Sequence, residues 1–241
     1  MNRNLALVRS FTRDILGSPT LTALFVAIVL IVTALDAAIV GRFALAPAIS
    51  SGNPQAIGTT VGIAAFFAAF VASGIAFAVL LVVPLTRQKT NGVLVALLAT
   101  PVGARRLWWT RAVALWLPSL AAGTLAAVGV LIALTTLALP DGTALAVPGW
   151  MAAATWLAIP LAYLALSLVV TAIGLTSSPN AANAIAVVYY AGGSALLGNT
   201  MIKAGLGPQG LWWLTVALAA ATAAVALAMA PRVVAWRVVL S

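Results

Sequence analysis

The 241-residue chain has no cysteine, no histidine and no glutamate, and its only acids are Asp14, Asp36 and Asp141. Without cysteine there is no disulfide framework and no thiolate nucleophile, and with histidine absent as well there is no Cys/His metal site. Without histidine the commonest general base is missing, and so is the Ser/His pair of an intramembrane serine protease. No GxxxxGK[ST] loop occurs, so the chain has no phosphate cradle of its own. Charge of either sign is scarce. Charged residues make up 6% of the chain, against roughly 25% in soluble domains.

Hydrophobic residues, in contrast, make up 64% of the sequence, and the mean hydropathy is +1.17. Twelve basic and three acidic side chains cannot solvate the surface of a soluble domain this large. Several apolar runs exceed the roughly 20 residues that cross about 30 Å of hydrocarbon. The fold class is therefore all-α integral membrane. The net charge of +9 would suggest nucleic acid in a soluble chain. Here the basic residues flank apolar spans and set topology, so no nucleic-acid partner is expected.

Six spans are expected, near Leu21–Val40, Ile57–Leu85, Ala112–Leu139, Val147–Leu175, Ala181–Leu197 and Gly210–Ala230. Turn chemistry separates them at Ser50–Pro54, Pro101/Gly103, Pro140–Gly142, Ser177–Asn180 and Gly205–Pro208. The chain reads as one transmembrane domain, 1–241, with no internal repeat. The fifth span is short, and the glycine-rich stretch 198–209 after it is expected to form a re-entrant turn on the outer side. No signal-peptide core precedes residue 20, so the first span is expected to stay in the mature protein.

Orientation follows from the basic residues. A cytoplasmic N-terminus puts Arg3, Arg9, Arg13, Arg87, Lys89, Arg105, Arg106, Arg111, Arg232 and Arg237 inside, and only Arg42 and Lys203 outside. Both termini are then cytoplasmic in a multi-pass protein of the cell membrane. Trp108, Trp109 and Trp236 fall at inner boundaries, and Trp150, Trp212 and Trp213 at outer ones. Residues 1–18 place Leu5, Val8, Phe11 and Ile15 at helical spacing, with Arg9 and Arg13 elsewhere on the helix. That pattern fits an interfacial helix lying on anionic membrane lipid.

The most distinctive stretch is Gln88–Arg111, QKTNGVLVALLATPVGARRLWWTR, basic and free of acids. Val93–Ala99 is apolar but too short to span. Gly92 permits a sharp start and Pro101 a sharp stop, so a short membrane-parallel helix is expected within 87–108, between spans 2 and 3. The run Gly92-x5-Leu98-Ala99-Thr100-Pro101-Val102, with Arg105, Arg106 and Arg111 following, resembles the signature of ABC-2 type transporter permeases. The resemblance covers Gln88–Arg111 by motif and nearly the whole chain by architecture. The sequence departs from the family where acids are usual: Gln88, Thr90 and Val95 stand there, and only Lys89 remains of the charged triplet. No acid-mediated contact is therefore expected from these positions, and the departure suggests the less regular half of a heterodimer.

The resemblance implies a permease subunit of an ATP-driven exporter. It would pair with a second permease, identical or not, and with a separate ATP-binding subunit that holds the nucleotide. The chain would itself be no enzyme and would bind no cofactor or metal. ATPase closure would be transmitted through a cytoplasmic coupling helix that includes Thr90, Asn91, Gly92, Leu97, Leu98, Thr100 and Pro101. The cargo fitting a nearly uncharged lumen is hydrophobic or amphipathic, such as a drug, natural product, lipid or small peptide. Polar residues within spans that could line a path are Thr33, Ser73, Thr171, Asn183, Tyr189 and Tyr190; each also suits a helix–helix hydrogen bond. Gly58-x3-Gly62 and Gly192-Gly193 would allow close helix approach. Asp36 is expected near the outer end of the first span, within reach of Arg42. Two other readings stay open, an ion-coupled secondary carrier and a non-transporting membrane scaffold.

Overall fold

The computed structural model describes residues 3–90, 103–140, 143, 145–176, 179–203 and 208–239. Helix α1 covers Arg3–Leu16. Its Phe11 is buried with Leu107 and Ala114, while Leu7 and Val8 pack against the same cluster. Arg9 and Arg13 stay exposed. The amphipathic pattern thus has a protein-facing side and a basic outer side. Ser18 is extended, and Pro19 opens the next helix at the position where its missing N–H costs nothing.

Helix α2 runs Pro19–Ser50, ten residues past the expected end, with a π turn at Gly41–Leu45. Arg42 does not end it, because Gly41 keeps right-handed angles, φ −57° and ψ −43°. The helix stops where the turn chemistry is. Ser50 Oγ donates to the Pro47 carbonyl at 2.8 Å, and Ser51 Oγ to that of Ala48 at 2.6 Å. Gly52 then takes the left-handed φ of +63° that reverses the chain at little cost. Asn53 Oδ1 accepts the Gln55 N–H at 2.9 Å, capping α3.

Helix α3 is Pro54–Thr90, 37 residues, or about 55 Å. It is far longer than the hydrocarbon needs, so one end projects toward segment 91–102. Helix α4 is Ala104–Ala138, closing on a π turn at Leu134–Ala138. It starts eight residues earlier than expected. Gly103 accepts the Arg106 and Leu107 N–H groups at 2.9 and 3.0 Å, so Arg105, Arg106 and Arg111 all lie inside the helix. Arg111 is buried, 4% exposed.

Helix α5 begins as Gly149–Ala153, passes a π turn at Ala154–Ala158 and continues as Ile159–Thr176. The irregular turn directly precedes Pro160, which has no N–H for a regular ladder. Trp116 Nε1 donates to the Pro160 carbonyl, and Trp108 Nε1 to the Leu168 carbonyl, each at 2.8 Å. These two indoles tie α4 to α5. Helix α6, Pro179–Lys203, is longer than the expected short span. Residues 198–203 of the expected turn remain helical, since a glycine need not end a helix where the backbone must satisfy itself. Helix α7 is Gln209–Val239.

The structure is thus an all-α membrane protein with six helices long and apolar enough to span a bilayer, preceded by α1. Among the described residues there is no strand. Helices α3 and α5 are central: 67% and 72% of their most apolar windows are buried, against 11%, 22% and 17% for α2, α6 and α7. The exposed aliphatic residues of α2, such as Leu30, Ile31 and Leu35, form a surface suited to lipid.

Candidate functional site

The chain has three tyrosines, and all three converge where α3, α5, α6 and α7 meet. The convergence starts from a glycine. A Cβ on Gly74 of α3 would stand 2.6 Å from Tyr163 Oη and 2.9 Å from Tyr190 Cγ, so any side chain there would push both rings away. Tyr163, on α5, is 1% exposed and donates its hydroxyl to the Phe70 carbonyl of α3 at 2.8 Å. Its ring lies 5.5 Å from Phe70, 6.2 Å from Phe77 and 6.1 Å from Tyr189, centroid to centroid. The Tyr189 hydroxyl, on α6, is 3.3 Å from Thr222 Oγ1 on α7, which also donates to the Leu218 carbonyl at 2.7 Å.

Of the residues named from the sequence, Tyr189 and Tyr190 belong to this neighbourhood, whereas Ser73, next to Gly74, turns its hydroxyl toward Gly123 of α4. Ser73 is 3% exposed, and its carbonyl accepts the Ser119 hydroxyl of α4 at 2.9 Å. Asn183 lies six residues before Tyr189 on α6, about 9 Å along the axis; its Oδ1 is buried without a hydrogen-bond partner. Thr171 stands apart, fully buried, donating to the Ser167 carbonyl of its own helix at 2.5 Å. Thr33 is separate as well. It packs on Gly129 of α4, where a Cβ would come within 2.9 Å of its Cγ2, and its Oγ1 has no partner. One turn further along α2, Asp36 Oδ2 is buried and unpartnered too. The approach to Arg42 is not made; that guanidinium lies 5.8 Å from the Phe43 ring centroid.

Tyr163, Thr222 and Gly74 were missed by sequence reasoning. Tyr163 sits among leucines and alanines and reads as core. The available signal was its hydroxyl, which must find a partner once buried.

The glycine pairs read as packing motifs divide. Gly58 and Gly62 seat Val147 and Met151, and Gly193 seats Phe70, whereas nothing lies within 4 Å of a Cβ on Gly192.

The cluster offers hydroxyls and aromatic faces. Among the described residues no group of three His, Cys, Asp or Glu side chains could hold a metal. The expected stability effect is direct. Tyr163→Phe removes one buried hydrogen bond and should cost about 1 kcal/mol. Tyr163→Ala also opens a cavity and should cost about 3–5 kcal/mol. Unfolding in mixed micelles measures both.

The coupling residues cannot be placed likewise. Thr90 is the last residue of α3; Asn91, Gly92, Leu97, Leu98, Thr100 and Pro101 lie outside the described residues. Their flanks are placed: α3 delivers the segment, Gly103 receives it, and α1 packs on the α4 turns just beyond. No protein-family model matches this chain, and no curated protein matches its sequence.

Proposed function

We propose that this chain is the membrane-embedded permease subunit of an ATP-driven exporter of the ABC-2 type. Its cargo is hydrophobic or amphipathic and moves outward across the cell membrane. Energy comes from a separate ATP-binding subunit, and a second permease completes the path. The observation that supports this reading most is the seating of α1 on the start of α4, through Phe11 against Leu107 and Ala114. Gly103, where the chain enters α4, is four residues before Leu107, so α1 packs on the end of α4 that the proposed coupling segment leads into. A partner pushing on either would tilt α4, and through Trp108 and Trp116 it would move α5. The tyrosine cluster, which includes Tyr189 and Tyr190, is the proposed polar stretch of the path, and Ser73, Asn183, Thr171 and Thr33 are its outlying members.

Because the chain contains no cysteine, one introduced thiol is a unique label. Thr100→Cys should react with an impermeant maleimide only from the cytoplasmic face. It should cross-link to the proposed ATP-binding subunit, and the purified complex should hydrolyse ATP faster when cargo is added. Labelling from outside, or transport without ATP, would overturn the proposal.

A further inference from the structure

At the basic end of the bundle two apolar clefts open side by side. One, about 510 Å³, lies between α4, α5 and α7, with Leu164, Leu168, Ala219, Ala223 and Ala226 among its lining and Arg105, Trp108 and Trp109 at one end. The other, about 670 Å³, lies between α1 and α4, against Val8, Arg106, Thr110 and Val113. Arg105 and Trp109 line both, so they form the partition between them. The first cleft follows α7 from Ala230 back to Val216, about 21 Å, which exceeds the roughly 15 Å half-thickness of a bilayer's hydrocarbon. Alanines four, three and four residues apart, at 219, 223, 226 and 230, keep that face of α7 low.

The polar end of this pair of clefts asks for an anion. Arg106 Nε is buried with no hydrogen-bond partner, Arg105 is exposed beside it, and no acid occurs in the first turn of α4. The Ala104 and Arg105 N–H groups of that first turn have no acceptor within the helix, adding partial positive charge. Trp109, 42% exposed, is the residue type that settles at headgroup depth.

We propose that these clefts hold one anionic two-chain phospholipid of the leaflet at the Arg105 end. Its phosphate sits on Arg105 and Arg106, and one acyl chain enters each cleft astride Trp109. A second helix could fill the alanine groove, but two clefts sharing Arg105 and Trp109 match a headgroup that carries two chains. The bound lipid wedges α1 and α7 against α4, as a structural part of the bundle. This inference rests on the membrane fold and is independent of the exporter reading.

The test is native mass spectrometry of the delipidated full chain, exposed to an equal mixture of phosphatidylglycerol and phosphatidylcholine. The wild type should retain one phosphatidylglycerol with a preference of at least about tenfold. Arg105→Gln with Arg106→Gln should abolish that preference, and Arg42→Gln, at the opposite end, should leave it intact. Ala223→Phe, which blocks the groove without touching charge, should also lower retention; Ala223→Leu replaces it if the larger side chain prevents folding, as judged by circular dichroism. Equal retention of both lipids, or wild-type retention in the double arginine variant, would overturn the proposal. So would displacement of the lipid by inorganic phosphate with retention unchanged in the groove variants, since only a headgroup would then be recognised. A dimer that the groove variants split, with no lipid retained, would assign the groove to a second copy instead.

Discussion

Gly123→Leu is expected to prevent recovery of folded protein, because it drives a branched side chain into the close crossing of α3 and α4. A Cβ on Gly123 would already stand 2.8 Å from the Ala69 carbonyl of α3 and would collide with Ser73 Oγ. One turn before Gly123, Ser119 donates to the Ser73 carbonyl at 2.9 Å. Ser119 and Gly123 therefore lie over Ala69 and Ser73 as small residues facing small residues, the arrangement that lets membrane helices associate without a hydrophobic force. Ala122 and Ala126 beside them are fully buried. Ser73 Oγ could rotate away, but the Ala69 carbonyl belongs to backbone and cannot. Gly123→Ala should therefore cost about 1–3 kcal/mol, and Gly123→Leu more than the crossing can absorb. Pairing Gly123→Ala with Ser73→Gly should recover part of the loss. The cycle isolates the hydroxyl's share and leaves the carbonyl's behind. Monodispersity after purification and unfolding in mixed micelles give the readout.

That crossing also shows why some features were legible in the sequence and others were not. The span count came from apolar length and turn chemistry, and both are local. Ser50–Pro54 acts as expected because each residue there works at short range, with two hydroxyls closing carbonyls, one left-handed glycine and one capping asparagine. Span ends were misplaced where charge was read as a boundary. Arg42 and Arg105–Arg111 lie inside α2 and α4, because arginine is a good helix former and a helix may pass through the headgroup region unbroken. The candidate site was half legible. Ser73, Tyr189 and Tyr190 stood out as polar groups in apolar runs. That Tyr163 joins the two tyrosines of α6 while Ser73, Thr33 and Thr171 do not depends on which face of each helix meets its neighbour. In spans apolar on every side, periodicity carries no such record. Gly74 stood out least, since its role is the volume it leaves empty.

Replacing Asp36 by leucine is expected to make the protein more stable. Asp36 Oδ2 is buried without a hydrogen-bond partner, and Arg42, the basic residue nearest in sequence, is turned toward Phe43. A buried carboxyl with neither an ion pair nor a donor is a net cost, and a well-packed apolar replacement should gain about 1–3 kcal/mol. Asp36→Asn should gain less, because an amide in that position is equally short of partners. Transport then separates the two energy sources. Asp36 is the only acid in the six spans, so a carrier driven by a cation gradient would have to bind its ion there and would lose transport in both variants. A pump driven by a nucleotide hydrolase has no use for that carboxyl. It lies one turn past the Thr33–Gly129 contact on the lipid-facing helix α2, away from the tyrosine cluster. Cargo uptake into inverted vesicles containing the Asp36→Leu complex should therefore persist, remain dependent on ATP, and survive collapse of the proton and sodium gradients. Greater stability together with loss of transport would move the chain from the pumps to the ion-coupled carriers.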